Sequence, residues 1–210
     1  MLKTLVFGGG TIHDWKGVTT AAEKALREAG GFEITKVEED LNCLAAPNLD
    51  PYELIVFHYT LGELTDAQKN GLLNWVAKGN GYVGIHSAAD SFRECPEYRA
   101  LVGGYFLTHP RYRQYMISLA EVDHEVSNGL EEREFNVTDE QYITDYDPRN
   151  LVLASALWKG QAMPVAWVKP WGKGRVFYLA LGHDAKACEH LLFHTLLARG
   201  AKWAGTKSGE

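Results

Sequence analysis

Short unbroken apolar runs alternate, in the first half of the chain, with stretches whose apolar residues recur every three or four positions. Lys3 to Gly9 is a compact apolar run closed by glycines, the pattern of a buried strand that delivers the chain to a tight turn. From Val18 the residues Val18, Ala21, Ala22, Ala25 and Ala29 recur at helical spacing, opposite Glu23, Lys24, Arg27 and Glu28, with Gly30 as a stop. Phe32 to Val37 and Leu54 to Tyr59 read as strands, the second without polar alternation and so buried on both faces. Thr65 with Gln68 makes a capping box ahead of Leu72, Leu73, Val76 and Ala77, and Gly79 ends that helix. Gly81 to Ile85 returns to strand character and runs directly into His86-Ser87-Ala88-Ala89, small residues that permit a sharp strand-to-helix turn. Strand, helix, strand predicts a parallel sheet.

Beyond Gly103-Gly104 the strands shorten, with Tyr115 to Val122 and Leu151 to Leu157 the expected ones. Met163 to Val168 and Arg175 to Leu181 flank Pro170-Trp171-Gly172-Lys173-Gly174, a hairpin signature, and a helix from about Ala187 to Ala204 closes the chain. Neither an internal repeat nor a linker-like shift in composition interrupts the 210 residues. The expectation is one α/β domain over residues 1–210, its sheet mostly parallel with a C-terminal hairpin.

Cys43, Cys95 and Cys188 are an odd number at unrelated spacings, which points to a reducing, cytoplasmic setting rather than to disulfides or a structural zinc site. The opening apolar run is too short for a secretory signal, and no apolar stretch approaches bilayer length. A formal charge of −6 argues against nucleic acid or anionic lipid as the main partner. A small neutral molecule such as a carbohydrate fits that balance, and homo-oligomer formation stays open.

Ligands of open parallel sheets bind at the carboxyl ends of strands. That rule selects His13 and Asp14 after the first strand, His86 after the Gly81 strand, and His183 with Asp184 after the last one. Imidazole both ligates metals and exchanges protons near neutrality, so either a divalent metal such as zinc or acid–base chemistry would explain the convergence. His109, in F-L-T-H-P, is within reach of such a site, and His124 looks peripheral. Asp139 and Glu140, in T-D-E-Q-Y beside Tyr142, Asp145 and Tyr146, offer a carboxylate as base or ligand. Trp15, Trp167 and Trp171 are the aromatics expected beside a sugar ring, with core packing as their alternative. His190 and His194 have metal-ligand spacing, yet the H-E-x-x-H signature is absent. Gly8-Gly9-Gly10 lacks the third glycine of a dinucleotide fingerprint, because position 13 is His13, and Gly172-Lys173-Gly174 is not a phosphate loop; no organic cofactor is expected.

The ordered segments G-G-G-T-I-H-D, G-I-H-S-A-A-D-S-F, G-G-Y-F-L-T-H-P, T-D-E-Q-Y, M-P-V-A-W and G-K-G-R-V-F-Y-L-A-L-G-H-D together resemble the ThuA-like (trehalose-utilisation) family over nearly the whole chain. The resemblance implies a class I glutamine amidotransferase-like fold, a flavodoxin-like three-layer sandwich, and a link to trehalose and related disaccharides. It implies that His13, His86, His109, Glu140, His183 and Asp184 line the catalytic cleft; Asp14, Trp15, Ser87, Tyr142 and Trp167, read from their residue types and positions, are the expected substrate contacts. True amidotransferases carry cysteine in a G-x-C-x-G elbow, where this chain has His86 in G-I-H-S-A, so glutaminase chemistry is not expected. The readings that follow are an enzyme acting on a sugar or keto-sugar, as a hydrolase, lyase or isomerase, or a non-catalytic sugar-binding module.

Overall fold

A computed structural model describes residues 1–207. In chain order the strands are β1 (Leu2–Gly8), β2 (Phe32–Glu38), β3 (Leu54–His58), β4 (Gly81–Ile85), β5 (Gly104–Thr108), β6 (Arg113–Leu119), β7 (Glu134–Asp139), β8 (Ile143–Tyr146), β9 (Leu151–Trp158), β10 (Gln161–Trp171) and β11 (Gly174–Leu179). The α-helices are α1 (Trp15–Ala29), α2 (Asp66–Ala77), α3 (Pro96–Val102) and α4 (Leu191–Gly205). Nine strands form one sheet in the order β2-β1-β3-β4-β11-β10-β9-β6-β7, and β5 pairs with β8 in a separate ribbon.

Strands β2, β1, β3, β4 and β11 pair in parallel; from β11 through β10, β9, β6 and β7 every pairing is antiparallel. The expectation of a mostly parallel sheet therefore gives way to a mixed one. The parallel half is made of residues buried on both faces, as in β3 and β4, where every position is buried. The antiparallel half alternates, as in β6, and presents a wetter face. Strand order reverses between β1 and β3, since the chain leaves β1 leftward to β2 and then returns to β3 on its right. Right-handed crossovers on the two sides of that reversal put α1 and α2 on opposite faces. Accordingly α1 packs with α4, and α2 with α3.

Local chemistry accounts for the helix ends. Helix α1 begins at Trp15, earlier than the apolar spacing indicates, because the Asp14 carboxylate accepts from Gly17 N at 3.0 Å. Helix α2 carries the full Thr65–Gln68 capping box. The closing helix is not continuous from Ala187: a 3-10 turn over Ala187–Glu189 stops at His190, whose extended backbone and Nδ1, accepting from Leu192 N at 3.1 Å, start α4 afresh. The strand expected to reach Val122 ends at Leu119, where its pairing with β9 runs out. Burial of Leu192, Phe193, Leu196 and Leu197 against the sheet holds α4 in place, each such side chain contributing roughly 1.5–3 kcal/mol. No helix among the described residues is long and apolar enough to cross a membrane.

Candidate functional site

The reversal between β1 and β3 opens a crevice at the carboxyl ends of the strands, where doubly wound sheets bind ligands. Gly10, at φ +85°, lies so close to the Thr60 backbone that no side chain would fit, which draws the loop after β1 against the loop after β3. His13 then reaches across the crevice, its Nδ1 2.8 Å from Thr60 Oγ1. His86 ends β4 in a sharp elbow, with φ +43°, a conformation rare outside glycine. Tyr178 steadies that elbow by donating from its hydroxyl to His86 O at 2.7 Å. His183 follows β11. Glu140 follows β7, from the far side of the sheet.

Four side chains meet here. Nε2 of His13, Nε2 of His86 and Nδ1 of His183 stand 3.9, 3.4 and 3.1 Å from one oxygen, Glu140 Oε2. Their donor atoms all lie within 4.8 Å of one another. The His86 tautomer follows from its partner. Its Nδ1 is 2.7 Å from Ala180 O, and a carbonyl only accepts, so Nδ1 bears the proton and the Nε2 lone pair faces the cluster. Burial pushes the His86 pKa down to about 4, which keeps the ring neutral near pH 7. His109 is different. Its Nδ1 is 2.9 Å from both Pro110 O and Glu140 Oε1, two acceptors, so that nitrogen is a donor and holds the second carboxylate oxygen in place. Burial alone would raise the Glu140 pKa, but the close approach of the His13, His183 and His86 rings together holds it well below the ordinary carboxylate range. The His183 pKa is pushed up, chiefly by the nearby Glu140 carboxylate.

Asp139 ties the two approaches together. Its buried carboxylate accepts from Gly182 N at 2.7 Å, His183 N at 3.2 Å and Glu140 N at 2.7 Å, so one group positions the backbones that carry two of the clustered side chains. Burial, partly offset by those three donors, pushes its pKa up to about 7.

The cluster suits a divalent cation. His86 Nε2 and His183 Nδ1 are buried and lack a hydrogen-bond partner among the described residues, an arrangement with a large desolvation penalty unless something positive sits between them and the carboxylate. Four ligands about 2.0–2.1 Å from a tetrahedral zinc stand about 3.3 Å apart, inside the spread of separations to Glu140 Oε2. The outer contacts of His13 to Thr60 and of His86 to Ala180 are the kind that orient ligating imidazoles.

Not every residue singled out from the sequence comes to the cluster. His13, His86, His109, Glu140 and His183 do, and Tyr142 joins them, its hydroxyl 3.3 Å from His13 Nε2 and its ring 3.8 Å from that of His86. Asp184 turns to its own loop, its carboxylate accepting from Ala187 N at 2.7 Å. Asp14 is spent on the start of α1 and on Ala185 N. Ser87 is fully buried with Oγ 3.3 Å from His58 Nε2, which closes it to substrate. Trp167 is a core residue: fully buried, stacked at 4.2 Å on Tyr178, and donating from Nε1 to Val102 O. Trp15 is buried on α1 against Gly8, and Trp171 lies at the opposite end of the strands, donating to Leu73 O. The aromatics that do flank the cluster are Tyr112, 5.6 Å from His183, and Phe106, 4.4 Å from Tyr142. His190 and His194 do not form a pair, since one caps α4 and the other faces Glu28 at 3.7 Å. His58, unremarked in the sequence, ends β3 and lies fully buried; the strand-end rule that selected His13 and His86 applies equally to it.

Comparison with known proteins adds a family. The family model ThuA, described as trehalose utilisation, matches residues 3–204. No curated protein matches the sequence closely enough to count. Among solved structures, a ThuA-like protein of Parabacteroides merdae superimposes with a TM-score of 0.85 at 22% identity, covering 100% of this chain and 92% of that one. A ThuA-like protein of Bacteroides uniformis gives 0.80 at 20% identity, with 97% and 91% covered. A cytoplasmic protein of Salmonella typhimurium gives 0.71 at 14% identity, with 97% and 99% covered. At these identities the likeness is one of fold.

Proposed function

The chain belongs to the ThuA family, described as trehalose utilisation, and from that premise we propose that it is a cytoplasmic enzyme acting on trehalose-type or keto-disaccharides. In this reading His13, His86, Glu140 and His183 hold a divalent metal such as zinc beside the substrate. One observation carries the proposal: lone pairs from separate strand ends converge on a carboxylate, and two of them have no other partner. A metal so held would supply Lewis acidity to a carbonyl or glycosidic oxygen.

The surrounding residues have separable tasks. The His109 side chain, 40% exposed, is the most open imidazole bonded to Glu140 and is placed to exchange a proton with a bound sugar. The Tyr142 hydroxyl, buried and with its pKa pushed well up by burial, remains a neutral donor toward a substrate oxygen. Tyr112 and Phe106 provide flat faces for the carbon face of a sugar ring. Glutaminase chemistry has no support, because His86 occupies the elbow and Cys188 is buried, with a thiol pKa pushed well up by burial.

Metal analysis of chelator-stripped protein, followed by re-addition of zinc or manganese, tests the reading. About one equivalent retained, together with turnover of a keto-disaccharide that Glu140→Gln abolishes, is the expected result. Less than a tenth of an equivalent overturns the metal assignment. Tight sugar binding without turnover overturns the enzyme and leaves a binding module.

A further inference from the structure

The far ends of the same strands carry a second cleft, of about 610 Å³, with no share in the imidazole cluster. It lies where β4 and β11 begin, whereas His86 and His183 follow their carboxyl ends. Its walls are cationic. Lys78, Lys169, Lys173, Arg175 and Lys207 line it, and none of these has a carboxylate within 4.0 Å among the described residues. Arg149, also on the rim, is already engaged by Asp147, with Nη2 to Oδ2 at 2.6 Å.

Two of these cations are held in position by backbone carbonyls rather than by acids. Arg175 donates from Nη1 to Trp203 O at 3.0 Å and lies 5.2 Å from the centroid of the Trp203 ring. Lys169 donates from Nζ to Ala100 O and sits 5.3 Å from the Trp171 ring centroid. Burial pushes the Lys169 pKa down, partly offset by the Asp147 carboxylate at longer range. Carbonyl anchoring fixes the side chains without a carboxylate in ion-pair contact. In a chain of net charge −6, this gathering of like charge is unfavourable when empty and favourable with an anion inside. Leu151, Val168 and Pro170 add an apolar wall, and the volume falls in the range of small-molecule sites, roughly 300–1,000 Å³. Cations over an apolar wall match a ligand that joins a multiply charged head to an organic body.

We infer that this cleft binds a small phosphate ester, the phosphate among Lys78, Lys173 and Arg175 and the organic part against Leu151, Val168 and Pro170. The assignment is independent of the metal reading, since neither site contributes a residue to the other. Titration of the full chain with glucose 6-phosphate, glucose and inorganic phosphate, followed by amide chemical shifts, tests it. Glucose 6-phosphate should shift resonances of the turn at residues 172–174 and of the end of α4, and bind more than about tenfold tighter than either fragment. Lys78→Glu with Lys173→Glu, both exposed positions, should weaken that binding more than about tenfold while leaving the melting temperature and the metal content unchanged. The single change Lys173→Gln should produce a smaller loss of the same kind. No shift in these segments at millimolar ester, binding indifferent to the charge reversals, or inorganic phosphate binding as tightly as the ester would each overturn the inference.

Discussion

The two halves of the large sheet contribute to the crevice in different ways. The parallel half delivers imidazoles on the ends of strands buried on both faces, so His13, His58 and His86 inherit their positions from the deepest packing in the molecule. The antiparallel half, with the β5–β8 ribbon beside it, delivers the carboxylate and the aromatic rim: Glu140, Tyr142, His109 and Tyr112 through short loops and Phe106 from β5. Rigidity comes from one half and charge from the other. Asp139 joins them, because its carboxylate binds the backbone after β7 and the backbone after β11 at once. Mixed parentage of this kind lets the charge-bearing loops differ while the imidazole frame stays put.

If that division is right, breaking the joint should do the most damage. Asp139→Ala leaves three backbone N–H groups without their acceptor and should lower stability by about 3 kcal/mol in denaturant unfolding, with metal affinity falling in parallel; a change below about 0.5 kcal/mol would show that the halves are held together by other means. Glu140→Gln removes the charge but keeps the shape, so metal affinity should fall about 100-fold in chelator competition, with little change in stability. Intact affinity would deny the antiparallel half any part in binding. Thr60→Val deletes the partner of His13 Nδ1 and should weaken metal binding about tenfold, leaving its stoichiometry at one. Smallest is Thr65→Ala, which breaks the capping box of α2 and should cost about 1 kcal/mol of stability with no effect on metal, since that helix end touches neither half of the site. A metal effect from this last change would blur the contrast.

The same contrast governs what could be read from residues alone. Strands of the parallel half announce themselves as unbroken apolar runs ended by glycine or a small-residue turn, so the placement of His13, His86 and His183 at strand ends was legible. His58 was legible by the same rule, but a run extended by one residue to Tyr59 hid its terminal position. Strands β5, β7 and β8 and helix α3 carry weak local patterns and emerged only in the fold. Trp15 and Trp167 suit a sugar ring by residue type, but both lie in the core, the alternative that type leaves open; an aromatic residue's type does not record which face of its element it occupies.

Residue type and spacing thus determined which groups stand at the ends of the buried strands, because backbone periodicity is local. The tertiary structure alone decided which nitrogen of His86 faces inward, which oxygen of Glu140 meets the imidazoles, and that Asp139 clamps two backbone segments together. Those outcomes rest on contacts between residues as far apart in the chain as His86 and Ala180, 94 positions, or His13 and Tyr142, 129. A proton's location and a carboxylate's partner follow from what the folded chain brings alongside, which no short-range pattern encodes.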